Sequence, residues 1–286
     1  METNRDKLVK MAVNASVDHP RINGYWTGYD GKGRVTMGTG GITYSHAIGD
    51  NCMDIAGDHI EPGVTMANSS PKENMAVQTY ACVGNEVRVL NGEARGARGY
   101  VTGTHGGVNH TMAYFDAPTL EKMDGTERFL IKAHGQGLKL KGHDDIFLMN
   151  LDPDLFEALP IQEVGDAIAF PVAYILPSHM MGAGLGESTL MSGDIDIMTQ
   201  DRAEVKKLGL DQLRFGDFVA IQDLDSTYGP HRKKGAVSIG VVVHSDSFSA
   251  GHGPGVTMLA TSKEGKIQPV LDKNANLKTF MDTVKR

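Results

Sequence analysis

The sequence predicts an α+β protein, mainly β, built as two β-rich halves with few short helices. Three observations carry this expectation. Glycine is abundant: 35 of 286 residues, where average usage of ~7% would give about 20. The glycines are not periodic, and they punctuate short apolar runs as turns do between strands. Strand-like runs do not alternate regularly with helical ones, which argues against a doubly wound or (β/α)8 architecture.

The composition bounds the function classes. At 40% hydrophobic and 22% charged residues the chain has the balance of a folded protein. No window approaches the ~20 unbroken apolar residues of a membrane span. The opening METNRDKLVKMAVN lacks the apolar core of a signal peptide, so a cytoplasmic location is expected. Set against 35 Asp+Glu, 28 Lys+Arg leave a net charge of −7. That balance disfavours a general nucleic-acid binder. The expected partner is a small molecule, with no nucleic acid and no membrane. Cys52 and Cys82 match neither a zinc spacing nor a CxxC motif and read as reduced, partly buried thiols.

Taken in order, residues 5–17 read as a helix. Residues 24–43 are glycine-rich and read as hairpins or a loop over a site. Residues 77–116 alternate β-branched runs with glycine turns, and VRVL and GYVTG read as strands. Residues 128–149 add two strands around GQG. LDPDLFEALP reads as a short helix with Asp152 as N-cap, Pro153 in the first turn and Pro160 after its end. The boundary between the halves is expected there, giving 1–160 and 161–286. In the second half AIAFPVAYILP reads as one or two buried strands, and residues 201–213 as a helix capped by Asp201. GDFVAIQDLD reads as a strand, and AVSIGVVVHSDS as a strand buried on both faces. The last twelve residues read as a short amphipathic helix. Runs such as AFPVAYILP and SIGVVV could line a subunit interface, so a homo-oligomer is expected.

Candidate chemistry gathers where Asp, Glu and His meet glycine turns. In Ser192-Gly193-Asp194-Ile195-Asp196 the two carboxylates are spaced i, i+2, so a strand turns both to one side. Like charges so placed call for a cation, a proton or a basic group between them. Asp223 and Asp225 repeat that spacing at a strand end, followed by Tyr228 and His231. His244 and Asp246 are also i, i+2, and a carboxylate beside an imidazole fixes its tautomer. The glycines of Gly251-His252-Gly253-Pro254-Gly255 let backbone approach a ligand, and their N–H groups suit a carboxylate or phosphate. A fourth group, His46, Asp50, Asp54, Asp58, His59, Glu61, His105 and His110, meets no zinc motif. HGGVNH is not HExxH, and its glycines argue against a helix. No GxSxG elbow, SxxK or Walker A loop occurs, and no nucleotide cofactor is indicated.

Several stretches carry resemblances. GNEVRVLNGEARGARGYVTGTHG is similar to the KOW-type pattern, a hairpin of an SH3-like barrel, over about residues 84–106. GDNCMDIAGDHIEPGVTMAN, FVAIQDLDSTYGP and AVSIGVVVHSDSFSAGHGPGV, with that hairpin, resemble an uncharacterised bacterial and archaeal family known only as a domain of unknown function. More distantly, Phe170-Pro171-Val172 and residues 186–196 resemble the acetamidase/formamidase family with its GDxHxxQGDGE motif. On that overlay Glu187 stands for the motif's Asp, Thr189 for its His, Ser192 for its Gln and Asp196 for its final Glu, while Asp194 is identical. This resemblance implies a mainly β architecture and hydrolysis of an amide or related C–N bond.

The expectation is therefore a small-molecule hydrolase, assisted by one divalent metal such as zinc, manganese or iron. Asp194, Asp196, His244 and His252 are its expected metal ligands. Glu187, Asp223 and His231 are its expected catalytic groups, with Glu187 or His231 as general base. Gly184, Gly186, Tyr228, Gly251 and Gly253 are its expected ligand-binding residues. The alternatives are a non-catalytic sensor of a small anionic metabolite, and an isomerase or lyase using the same carboxylate–histidine pairs. RNA binding through the KOW-like hairpin is a weaker one.

Overall fold

A computed structural model describes residues 1–22, 24–35, 39–182 and 189–284. Strands hold 38% of the described residues and helices 15%, so the protein is mainly β. The first half runs β1 (Lys10–Val17), β2 (Tyr25–Thr27), β3 (Gly33–Val35), β4 (Ile42–Thr43), β5 (Gly63–Ala67), α1 (Pro71–Tyr80), β6 (Glu86–Val89), β7 (Arg98–His105), β8 (His110–Tyr114), α2 (Ala117–Leu120), β9 (Arg128–His134) and β10 (Phe147–Leu148). After α3 (Pro153–Ala158) come β11 (Gln162–Val164), β12 (Ala167–Val172), β13 (Tyr174–Pro177), β14 (Ile195–Asp196), α4 (Arg202–Lys207), β15 (Phe218–Asp225), β16 (His231–Val242), β17 (Gly255–Ser262), β18 (Ile267–Leu271) and α5 (Leu277–Met281).

The first sheet follows the order β1-β9-β6-β7-β8-β5, and β1 also pairs β5. Ser16 opposite Ala67 and Val17 opposite Met66 close the ring into a six-stranded barrel, which removes exposed sheet edges. Burial alternates along β6 and β9, as a barrel wall requires. Inward residues such as Val17, Met66, Val87 and Phe129 form its core.

The expected helix over 5–17 does not form. Arg5–Lys7 make one 3-10 turn and β1 follows. Val13, Ala15 and Val17 turn to one side with a period of two, and β1 pairs β9 over seven residues. That ladder and its buried face outweigh the weak helical pattern of the segment.

The second large sheet runs β10-β17-β16-β15-β13, with β14 on β17, and a smaller one runs β11-β12-β18. AIAFPVAYILP supplies β12 and β13, which lie in different sheets, each paired in parallel with a later strand. Every residue of β17 is buried, as befits a strand covered on both faces. The helix expected over 201–213 is shorter. Asp201 caps it through the N–H groups of Ala203 and Glu204, and Gly209, at φ 72°, ends it before a 3-10 turn. Asp152 caps α3 in the same way. Cys52 and Cys82 are both free and fully buried.

β7 of the barrel lies on β17. Thr104 N–H donates to Thr257 Oγ1 at 3.1 Å, and that hydroxyl donates back to the Thr104 carbonyl at 3.1 Å. The approach depends on Gly103, where a Cβ would strike Val243 and Thr257. This contact brings the ends of both large sheets together. Among the described residues no helix is long and apolar enough to cross a membrane.

Candidate functional site

Four short segments converge where β7 meets β17. β14 pairs with the start of β17, Asp196 opposite Gly255, which fixes Asp194 and Asp196 beside that glycine. β16 ends at Val242, and Val243 N–H donates to the Gly255 carbonyl at 2.9 Å, so His244 lands on the same spot. The β7–β8 turn, Gly106–Asn109, sets His105 directly opposite His110. The segment before β5 is stitched to residues 245–247: Ile60 N–H donates to Ser245 Oγ and Ser245 N–H to the Ile60 carbonyl. That stitching delivers Asp58, His59 and Glu61.

Three imidazoles stack there. Ring centroids lie 4.1 Å apart for His105 and His244, 4.9 Å for His59 and His244, and 5.5 Å for His59 and His105. Each is anchored through Nδ1. His59 Nδ1 is 2.7 Å from Asp58 Oδ2, and His105 Nδ1 is 2.5 Å from Glu61 Oε1. His244 Nδ1 is 3.0 Å from the Ser245 carbonyl, which can only accept. Gly255 N–H makes a longer approach of 3.3 Å to the same atom. An imidazole held in this way at Nδ1 offers Nε2 as a lone pair, the arrangement by which proteins orient metal ligands. Ligand atoms of the three lie within 4.8 Å of one another.

The carboxylates are held as firmly. Asp58 Oδ1 accepts from Ser247 Oγ and from Phe248 N–H. Glu61, fully buried, accepts from Gly40 N–H, Thr65 Oγ1, His105 and His110. His110 in turn reaches Asp18 Oδ2 at 2.9 Å. Asp194 Oδ1 accepts from Gly106 N–H at 2.8 Å, which turns Oδ2 inward. His244 Nε2 stands 2.9 Å from that Oδ2 and 3.4 Å from Asp196 Oδ1. Yet neither His244 Nε2 nor Asp194 Oδ2 has a partner in hydrogen-bond geometry, although both are buried. Asp196 Oδ2 faces the other way, 2.9 Å from His252 Nδ1 and 3.5 Å from His59 Nε2.

Titration behaviour follows from this geometry. Burial works to lower the pKa of His59, but Asp196 and Asp58 outweigh it and raise the value to about 9. Burial is likewise overcome at His244, where Asp194 and Asp196 raise the pKa well above the ordinary imidazole value. His105 moves the other way: burial, then the charge of His244, lower it. Burial opposes ionisation of Glu61 and Asp196, yet the histidines around each hold it well below the carboxylate range. His59 also sits at φ 52°, a left-handed conformation that costs a non-glycine residue roughly 1–2 kcal/mol. Strain of this kind persists where the surroundings impose it, commonly at functional sites.

The expected residues divide into three groups. Asp194, Asp196, His244 and His252 come together. Gly251 and Gly253 border them, and Gly253 N–H donates to Asp196 Oδ2 at 3.3 Å, a partner within the chain. Asp223, Tyr228 and His231 sit at the other end of the β15–β16 hairpin. Its twelve-residue β16 spans roughly 35–40 Å at ~3.3 Å per residue. A bulge with Asp223 at φ 57° breaks the alternation. Asp223 therefore accepts from Gly235 N–H near the surface while Asp225 is fully buried, and the two do not share a face. His231 Nε2 lies 3.6 Å from Asp225 Oδ2, and Tyr228 is 91% exposed beneath the Lys263 ammonium. Asp246 does not orient His244; it binds Thr199 and Arg202. Gly184, Gly186 and Glu187 lie outside the described residues.

His59, Glu61, His105 and His110 belong to the cluster but formed only the weakest sequence signal. One clue was legible. HGGVNH puts two histidines five positions apart around a glycine turn, which in a hairpin places them directly across the ladder.

The molecule is thus a two-part, mainly β protein with a buried histidine–carboxylate centre between its parts. The chain belongs to the DUF4438 family. Residues 25–157 match its N-terminal part, described as "Domain of unknown function (DUF4438), N-terminal", and residues 158–281 match the C-terminal part. A solved structure, "Crystal structure of TM1086", is similar to the chain at 46% identity, with a TM-score of 0.93, covering 98% of this chain and 99% of that one. No curated protein matches.

Proposed function

We propose that the centre binds a divalent metal and that the protein is a metal-assisted hydrolase of a small polar substrate, acting on an amide or related C–N bond. The observation that carries this reading is the unsatisfied convergence at His244. Its Nδ1 faces a carbonyl, and its Nε2 faces two buried carboxylate oxygens. Two carboxylates facing one imidazole nitrogen in a dry site call for a shared proton or a cation between them, and a divalent metal would serve as that cation. His244, Asp194 and Asp196 supply a mixed nitrogen–oxygen donor set that suits zinc, manganese or iron.

A metal held there would polarise a carbonyl and lower the pKa of bound water. The chain's own residues do the rest. Asp58, Glu61 and the Ser245 carbonyl keep three imidazoles in one tautomer. His252, with a side chain 43% exposed, stands on the open side of the centre, where a substrate would enter. The choice of a C–N bond rests on the resemblance around Phe170 and residues 186–196.

The test is a panel of small amides assayed for released amine or ammonia with native, chelator-treated and metal-restored protein. Turnover lost on chelation, restored by zinc, manganese or iron and absent in His244→Ala is expected. Undiminished turnover by metal-free protein overturns the mechanism.

A further inference from the structure

Asp196 presents its two oxygens to two different sets of donors. Oδ1 lies 3.4 Å from His244 Nε2, which itself stands 2.9 Å from Asp194 Oδ2. Oδ2 lies 2.9 Å from His252 Nδ1 and 3.5 Å from His59 Nε2, and those two nitrogens are 3.4 Å apart. Each set of three falls within metal-ligating reach, and Asp196 is the member they share. We infer that the centre is binuclear: one divalent cation sits among Asp194 Oδ2, Asp196 Oδ1 and His244, a second among Asp196 Oδ2, His59 and His252, and the Asp196 carboxylate bridges them.

Charge supports the count. Asp58, Glu61, Asp194 and Asp196 are all buried, and among the described residues their ion-pair partners are histidines only, with no lysine or arginine. Four carboxylates gathered in one buried cluster hold the acidic charge that a pair of divalent cations would offset. A carboxylate bridge sets two ions about 3.5–4 Å apart, the separation at which a metal pair clamps an attacking and a leaving oxygen. The donors fit this division. The first set is buried throughout, whereas the second includes the half-exposed His252 and so opens toward solvent, where a substrate would arrive.

This inference rests on the metal-centre reading and is separable from it by stoichiometry. Metal-free protein is titrated with Mn2+, following heat by calorimetry and the spin state by electron paramagnetic resonance. Two manganese ions per chain and an exchange-coupled spectrum are expected. His252→Ala, at a rim position, is expected to fold as judged by circular dichroism, bind one ion and give an uncoupled six-line spectrum. One ion per chain in the unaltered protein, without coupling, overturns the second site and leaves the first. Two coupled ions in His252→Ala overturn the ligand assignment. No binding overturns both readings.

Discussion

Gly255 offers a direct way to disturb the centre without touching a ligand. Its backbone has an ordinary φ, so alanine brings no left-handed strain. A Cβ there would fall well inside 3.0 Å of both Asp194 Oδ2 and His244 Nε2, a limit that real Cβ contacts respect. Relieving the overlap requires those atoms to retreat by roughly 1 Å, against a tolerance of ~0.2 Å for a metal–ligand distance. Loss of an outer-shell partner alone weakens metal affinity ~10–100-fold. Displacing two ligand atoms should exceed this, so Gly255→Ala is expected to lose at least about 100-fold in Zn2+ affinity by competition with a chromophoric chelator. The overpacking also costs about 1–3 kcal/mol of stability, leaving a folded protein by circular dichroism. Unchanged zinc affinity in a folded Gly255→Ala protein would refute the placement of the metal between Asp194 and His244.

Other perturbations act at a distance from the donor atoms. Glu61→Gln takes the carboxylate from His105, whose ring packs on His244 at 4.1 Å, and should weaken metal binding ~10–100-fold, read in the same competition assay; an unchanged constant speaks against Glu61 and His105 as supports of the centre. Protons compete with the metal at His59. With a pKa of about 9 in the metal-free protein, this imidazole is protonated at neutral pH. Affinity for the cation that His59 holds should therefore climb by up to roughly tenfold per pH unit between pH 6 and 9. A flat profile over that range contradicts His59 as a ligand. Phe218 is fully buried and stacks on Phe280 at 5.3 Å. Phe218→Ala should cost about 3–5 kcal/mol in denaturant unfolding and leave metal stoichiometry alone, which separates general packing damage from damage to the centre.

Local pattern carried much of the architecture. Alternation and glycine turns located β6, β7, β15, β16 and the caps at Asp152 and Asp201, because those features depend on neighbours in sequence. β1 did not emerge, since its strand state is imposed by seven pairings with β9, more than a hundred residues away. The centre divides along the same line. Asp194 and Asp196 were legible as a pair because a strand period of two is a local rule. His244 and His252 stood out within glycine turns. His59, Glu61 and His105 gave no motif, because barrel closure and the β7–β17 contact bring them to Asp194 from distant parts of the chain. Asp223 and His231 looked equivalent in sequence, but a bulge at Asp223 and the length of β16 leave them at the opposite end of the hairpin.

The central claim is that the buried histidine–carboxylate cluster is a metal centre. Metal content of tag-free protein, purified without added metal and measured by inductively coupled plasma mass spectrometry, tests it most directly. Stoichiometric zinc, manganese or iron in the unaltered protein, absent from folded His244→Ala, is the predicted result. A folded protein that is metal-free as purified and takes up none of these ions on dialysis would contradict the account.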